Sequence, residues 1–192
     1  LPAAAAPDAV SLFAFFPPNR VRFLMDFVED TDRAEAYKVL ADIFFEAPVG
    51  DSLEAIKEDF NLDSREGEDD IRADFNYLLA YPGGEMLPLE SLFSASGNTA
   101  VAEVTRFYLD AGLTIEEAFQ LMPDHISLEF LFMSYLIETE RPELQRKFFE
   151  EHMMKWVPGY CVKLKETAKT LFYREIAGIV EDFLSAEYEE MS

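Results

Sequence analysis

The stretch 124–140 constrains the fold of this chain more than any other. Ile126, Leu128, Phe130, Leu131, Phe132, Met133, Tyr135, Leu136 and Ile137 leave only a thin polar stripe through Ser127, Ser134 and Glu138. A helix that is apolar on nearly every side has to be surrounded by other elements at the centre of a bundle. It is not a membrane span, which needs roughly 20 predominantly apolar residues, and Ser134 interrupts even the densest part.

The remaining chain supplies helices to surround it. Apolar residues recur at spacings of three and four, and Gly and Pro are confined to boundaries, which is the pattern of an all-α protein. Asp32 precedes a stripe of Ala36, Tyr37, Leu40, Ala41, Phe44 and Phe45 that ends at Ala47-Pro48, predicting the first helix. Further helices are predicted over 52–60, 71–81, 99–111, 124–140, 142–155, 162–169 and 171–188, with a charged turn over 61–70. Thr114 and Glu117 form a potential capping box for a short helix to Gln120. Trp156-Val157-Pro158-Gly159 reads as a break. The expected architecture is one compact bundle of about 8–11 helices.

Residues 19–192 read as a single domain, with an N-terminal half (19–81), an ordered loop (82–98) and a C-terminal half (99–192). Residues 1–18 read as an apolar leader. No Lys or Arg precedes Arg20 and the run 9–16 meets Pro17-Pro18, so a cleaved secretory signal is not expected. The start at Leu1 without methionine points to part of this leader being an expression remnant.

Charge and chemistry narrow the function. The 38 acidic and 16 basic residues give a formal net charge of −22, a field that repels nucleic-acid backbones and anionic lipid surfaces. Cys161 is the single cysteine, so neither an intrachain disulfide nor a cysteine-rich metal site forms, and a reducing compartment fits. Phosphate-cradling glycine loops, H-E-x-x-H and G-x-S-x-G are absent. A di-iron bundle needs Glu-x-x-His pairs, and neither His125 nor His152 has a glutamate three residues before it. Ser91 with Asp124 and His125 makes a poor hydrolytic triad, because adjacent helical residues point about 100° apart. Asp124 is expected instead to charge or cap the start of the central helix.

Five elements in order resemble the TorD/DmsD/NarJ family of redox-enzyme maturation chaperones, over about residues 33–184. The aromatic pair Phe44-Phe45 before Ala47-Pro48 looks like the family's opening helix. Pro88, Glu90 and Ser91 match its Pro-x-Glu-Ser element. Pro123-Asp124-His125 before an apolar helix is similar to its Glu-Pro-x-Asp-His signature, although Leu121-Met122 stand where the family often has Glu-Pro. His152, Trp156 and Pro158, then Phe172-Tyr173-Arg174, resemble its last helices in order and spacing.

The resemblance implies an all-helical protein of the cytoplasm that performs no catalysis and carries no cofactor or metal of its own. Its implied partner is the twin-arginine signal, or an equivalent N-terminal segment, of an apo molybdopterin oxidoreductase subunit, held until the cofactor is inserted. A monomer or a domain-swapped dimer fits equally. The implied peptide-binding residues are Pro88, Glu90, Ser91, Pro123, Asp124 and His125. Phe45 and Leu78, with Phe44 and Leu92, would provide an apolar groove, unless they are plain core. His152 and Trp156 are assigned to structure. An acidic helical adaptor for another basic or apolar segment, and a helical enzyme with an unrecognised site, are the competing readings.

Overall fold

The computed structural model describes residues 10–11, 30–114 and 121–191. Helices α1 (Asp30–Phe45), α2 (Gly50–Asp59) and α3 (Glu68–Leu78) are followed by a four-residue α4 (Glu90–Phe93) and by α5 (Thr99–Asp110). Then come α6 (Ile126–Glu138), α7 (Pro142–Phe148), a π-helical turn (Phe149–Met153), α8 (Met154–Thr167) and α9 (Leu171–Met191). Two-residue strands β1 (Val10–Ser11) and β2 (Leu113–Thr114) form one parallel pair. The fold is all-α and compact, as the apolar spacing predicts.

Helix α6 is the axis of the bundle, with every residue from Ile126 to Ile137 buried. Its main neighbour is α1, whose Tyr37 and Phe44 rings lie 5.9 and 6.0 Å from that of Phe130. Phe132 meets Tyr108 of α5 and Phe148 of α7, each at 4.8 Å. Tyr37 also meets Phe183 of α9 at 4.7 Å. Burying each such ring contributes about 1.5–3 kcal/mol, so α6 is fixed from several sides at once.

Four expectations need correction. Helix α3 starts at Glu68, three residues before position 71, because Gly67 takes the N-cap and Glu68, Asp69 and Asp70 favour the positive end of the helix dipole. The cap of α6 is His125, whose Nδ1 accepts the Ser127 amide at 3.2 Å, and not Asp124. The expected break at 156–159 is continuous helix, with Pro158 inside α8. A helix-interior proline costs about 3 kcal/mol. Trp156, Val157, Tyr160, Cys161 and Leu164 form the buried stripe that outweighs it. Thr114 lies in β2 and does not cap a helix; the rest of that expected short helix falls outside the described residues.

Acidic side chains fasten the loop 61–67 and the start of α9. Glu175 accepts the amides of Asp63 and Ser64 at 2.9 and 3.0 Å, and Glu66 accepts that of Leu171. Asp74, 2% exposed, accepts three donors through one oxygen: the amides of Lys169 and Thr170 at 3.0 and 2.7 Å and the Thr170 hydroxyl at 2.7 Å. Part of the large negative charge therefore serves as acceptors for backbone ends and not as a solvated surface.

Candidate functional site

Two segments about 35 positions apart in sequence run side by side before α4 and α6. Leu89 and His125 form an isolated antiparallel bridge. The Ile126 amide donates to the Pro88 carbonyl at 2.9 Å, and the Glu90 amide to the Asp124 carbonyl at 3.0 Å. Asp124 then caps α4, its Oδ2 accepting the Ser91 amide at 2.8 Å. The Pro123 carbonyl accepts from the Tyr108 hydroxyl at 2.9 Å, which ties this corner to α5.

Behind the corner lies a cluster of buried carboxylates. Glu90 is 1% exposed, and its Oε2 stands 2.8 Å from Nδ1 of His152 in the π-helical turn. Glu129, on the otherwise apolar α6, accepts the Trp156 indole N–H at 3.0 Å. Glu90 Oε1, Asp124 Oδ1 and Glu129 Oε1 are buried with no hydrogen-bond partner among the described residues. Phe93 roofs this region, its ring 5.0 Å from that of Tyr160 and 6.2 Å from that of Trp156. The Lys163 ammonium lies 5.2 Å from the centre of the Phe93 ring.

Glu90 and Asp124 stand close enough to Glu129 to act on it electrostatically. Burial holds the Glu129 carboxyl well above the usual carboxylate range; repulsion from Glu90 and Asp124 adds to this, and the Trp156 N–H opposes it. Burial lowers His125 to about 4, in keeping with a neutral ring whose Nδ1 accepts a bond. The arrangement stores unused acceptor capacity, which a proton or an incoming cation can take up. Asp124 accepts the Ser91 amide and His125 the Ser127 amide, so the hydrogen bonds recorded for these side chains are those of helix caps.

A pH dependence follows. Glu129 binds more protons folded than unfolded between its ordinary pKa and its raised folded value, so its contribution to stability is lost as pH rises through that window. His125 acts in the opposite sense between about 4 and 6.5. Glu129→Gln, which mimics the protonated form, is expected to remove only the first component. Urea melts from pH 5 to 8 should therefore show the variant gaining on the wild type as pH rises. A constant difference across that range would contradict the assignment.

The structure brings together Pro88, Glu90, Ser91, Pro123, Asp124 and His125. Glu90, Asp124 and His125 are buried, while Ser91 and Pro123 are half-buried. Phe44 and Leu78 are core residues, at 1% and 0% exposure, whereas Phe45 is half-buried and Leu92 is 60% exposed. Sequence reasoning missed Glu129 and gave His152 and Trp156 purely structural roles. The available signals were a lone carboxylate on an apolar helix, and a His and Trp four apart on one face.

Comparison with known proteins places this corner in a family. A family model described as nitrate reductase delta subunit matches residues 44–162, more than half of the chain. The chain belongs to the nitrate reductase delta subunit family. The matched region contains every residue of the carboxylate cluster, from Glu90 through Asp124 and Glu129 to His152. A perchlorate reductase assembly chaperone protein of Dechloromonas aromatica (strain RCB) is 27% identical over 103 residues, covering 47% of this chain and 46% of its own length. The chaperone protein YcdY of Escherichia coli (strain K12) is 27% identical over 124 residues, covering 63% of this chain and 65% of its own length. The chain thus spans from about half to just under two thirds of these curated relatives. Among the described residues, no helix is long and apolar enough to cross a membrane, and no three His, Cys, Asp or Glu side chains are grouped to hold a metal ion.

Proposed function

We propose that this member of the nitrate reductase delta subunit family is a non-catalytic cytoplasmic chaperone in reductase maturation. It binds the twin-arginine signal, or an equivalent N-terminal segment, of an apo molybdopterin oxidoreductase subunit and holds it until the cofactor is inserted. The observation that carries this reading is the family match over 44–162, joined to two relatives whose names both say chaperone. A net charge of −22 favours a client segment that carries arginines.

The division of labour follows from magnitudes. Exposed ion pairs contribute about 0–1 kcal/mol each, whereas burying one Leu or Phe contributes about 1.5–3 kcal/mol. Apolar contact therefore supplies most of the affinity, with exposed Leu92 beside half-buried Phe93 as the proposed apolar surface. The carboxylates supply selectivity. Asp124 Oδ1, which has no partner among the described residues, is the proposed acceptor for an arginine; it is buried, so α4 has to move aside to admit the guanidinium.

A double-mutant cycle tests this step. Replacing the peptide's arginines by lysine should lose affinity despite equal charge, because the planar fork is lost. Asp124→Asn, which keeps an acceptor for the Ser91 amide, should erase most of that Arg-over-Lys preference while costing only about 1 kcal/mol of stability. Zero coupling in calorimetry, with the fold intact, would return Asp124 to the role of a cap for α4.

A further inference from the structure

The parallel pair of β1 and β2 sets Val10 opposite Leu113 and Ser11 opposite Thr114. Its two sides are unequal. On the β2 side, Gly112 takes a left-handed φ of +82° that turns the chain out of α5. The Ala111 carbonyl accepts from the Tyr135 hydroxyl at 3.2 Å and from the Arg141 guanidinium at 3.0 Å. The Leu113 side chain is anchored in the core at 1% exposure. Helix α6 and the turn after it thus hold β2 extended independently of what pairs with it. A strand edge preorganised in this way is a template for another strand.

The β1 side contributes two residues to a parallel ladder, the weaker kind per residue. Among the described residues the sheet has two strands, and a two-stranded sheet is marginal by itself. Val10 and Ser11 belong to the run Ala9-Val10-Ser11-Leu12-Phe13-Ala14-Phe15-Phe16, which carries no charge. Rigid β2 and replaceable β1 make an acceptor and its present occupant.

We propose that the Leu113–Thr114 edge is a strand-addition site for an extended, uncharged apolar segment lying parallel to β2. This chain's own residues 10–11 fill it, and a partner's apolar segment enters by displacing them. The inference does not rest on the twin-arginine reading, because it concerns backbone pairing and requires no arginine in the partner. The occupant is tethered, and a tethered segment competes at an effective concentration of roughly millimolar. An external segment therefore binds the intact chain much more weakly than it binds an emptied edge.

The probe is a fluorescent peptide with the sequence of residues 8–16, titrated into the full chain and into its Val10→Pro/Ser11→Pro variant. The two prolines remove both strand donors. The variant should bind at least about tenfold more tightly, once freed of the tethered competitor. In hydrogen exchange, the protected amide of the Leu113–Thr114 pair should exchange faster in the variant and slow again when peptide is added. Adding Gly112→Ala, which meets no atom within 4 Å but is strained at φ +82°, should weaken the peptide about fivefold by disturbing β2. Circular dichroism confirms that each variant keeps its helices. Equal peptide affinity for the native chain and the proline variant overturns the proposal, as does binding that leaves exchange at 113–114 unchanged.

Discussion

His152→Ala is expected to lower the unfolding free energy by about 3 kcal/mol or more, because it strands a buried hydrogen-bonding group, at about 1–3 kcal/mol, and opens a cavity in the core. Glu90 would be left at 1% exposure with neither carboxylate oxygen bonded to a side chain among the described residues, where Oε1 has no partner already. The histidine ring also packs against Phe148 and Phe107, each at 5.1 Å, so packing is lost as well. Against a total stability of about 5–15 kcal/mol, this is a large fraction, visible as a fall in melting midpoint of about 10 °C. Glu90→Gln in the same background should recover a good part of the loss, because a neutral amide cannot strand a charge at a buried position. A loss below about 1 kcal/mol would mean that the pair is no more than a surface-grade contact.

Asp74→Ala is expected to cost about 3 kcal/mol or more, because each orphaned buried donor costs about 1–3 kcal/mol. One Asp74 oxygen serves the Lys169 amide, the Thr170 amide and the Thr170 hydroxyl. These bonds join α3 to the start of α9 across more than 90 positions, so their loss should loosen the docking of the last helix. Asp74→Asn keeps an acceptor and should cost about 1 kcal/mol. Urea melts give the two values, and amide exchange at Thr170 locates the effect. An alanine variant as stable as the asparagine one would show that water replaces the carboxylate without penalty.

Most of the bundle was legible because apolar spacing is a local signal. Helices α1, α5, α6 and α9 each carry a stripe or a nearly continuous apolar surface that only a helix presents to one core. Helix α4 falls inside the expected loop 82–98, since four residues hold no period to detect. Pro158 signals a break because the backbone penalty is local, whereas the burial of Trp156, Tyr160 and Cys161 that outweighs it is not. The same distinction governs the candidate site. Pro88 to Ser91 and Pro123 to His125 are readable as short motifs that resemble a family. The Glu90 contact with His152 spans 62 positions and that of Trp156 with Glu129 spans 27; the lone carboxylate on α6 and the His–Trp spacing mark these residues as unusual but do not say which partner each one meets.

The central claim is recognition of a client's N-terminal segment, and calorimetric titration of the full chain with one peptide tests it most directly. The peptide carries paired arginines ahead of a 7–15-residue apolar stretch, the pattern of an export signal, and the control is a scrambled peptide of the same composition. The account predicts selective binding of the ordered peptide, weakened but not abolished by raising the salt from low to high, because screening acts on exposed charges and not on apolar burial. Equal binding of the scrambled peptide, or binding of neither, would contradict it.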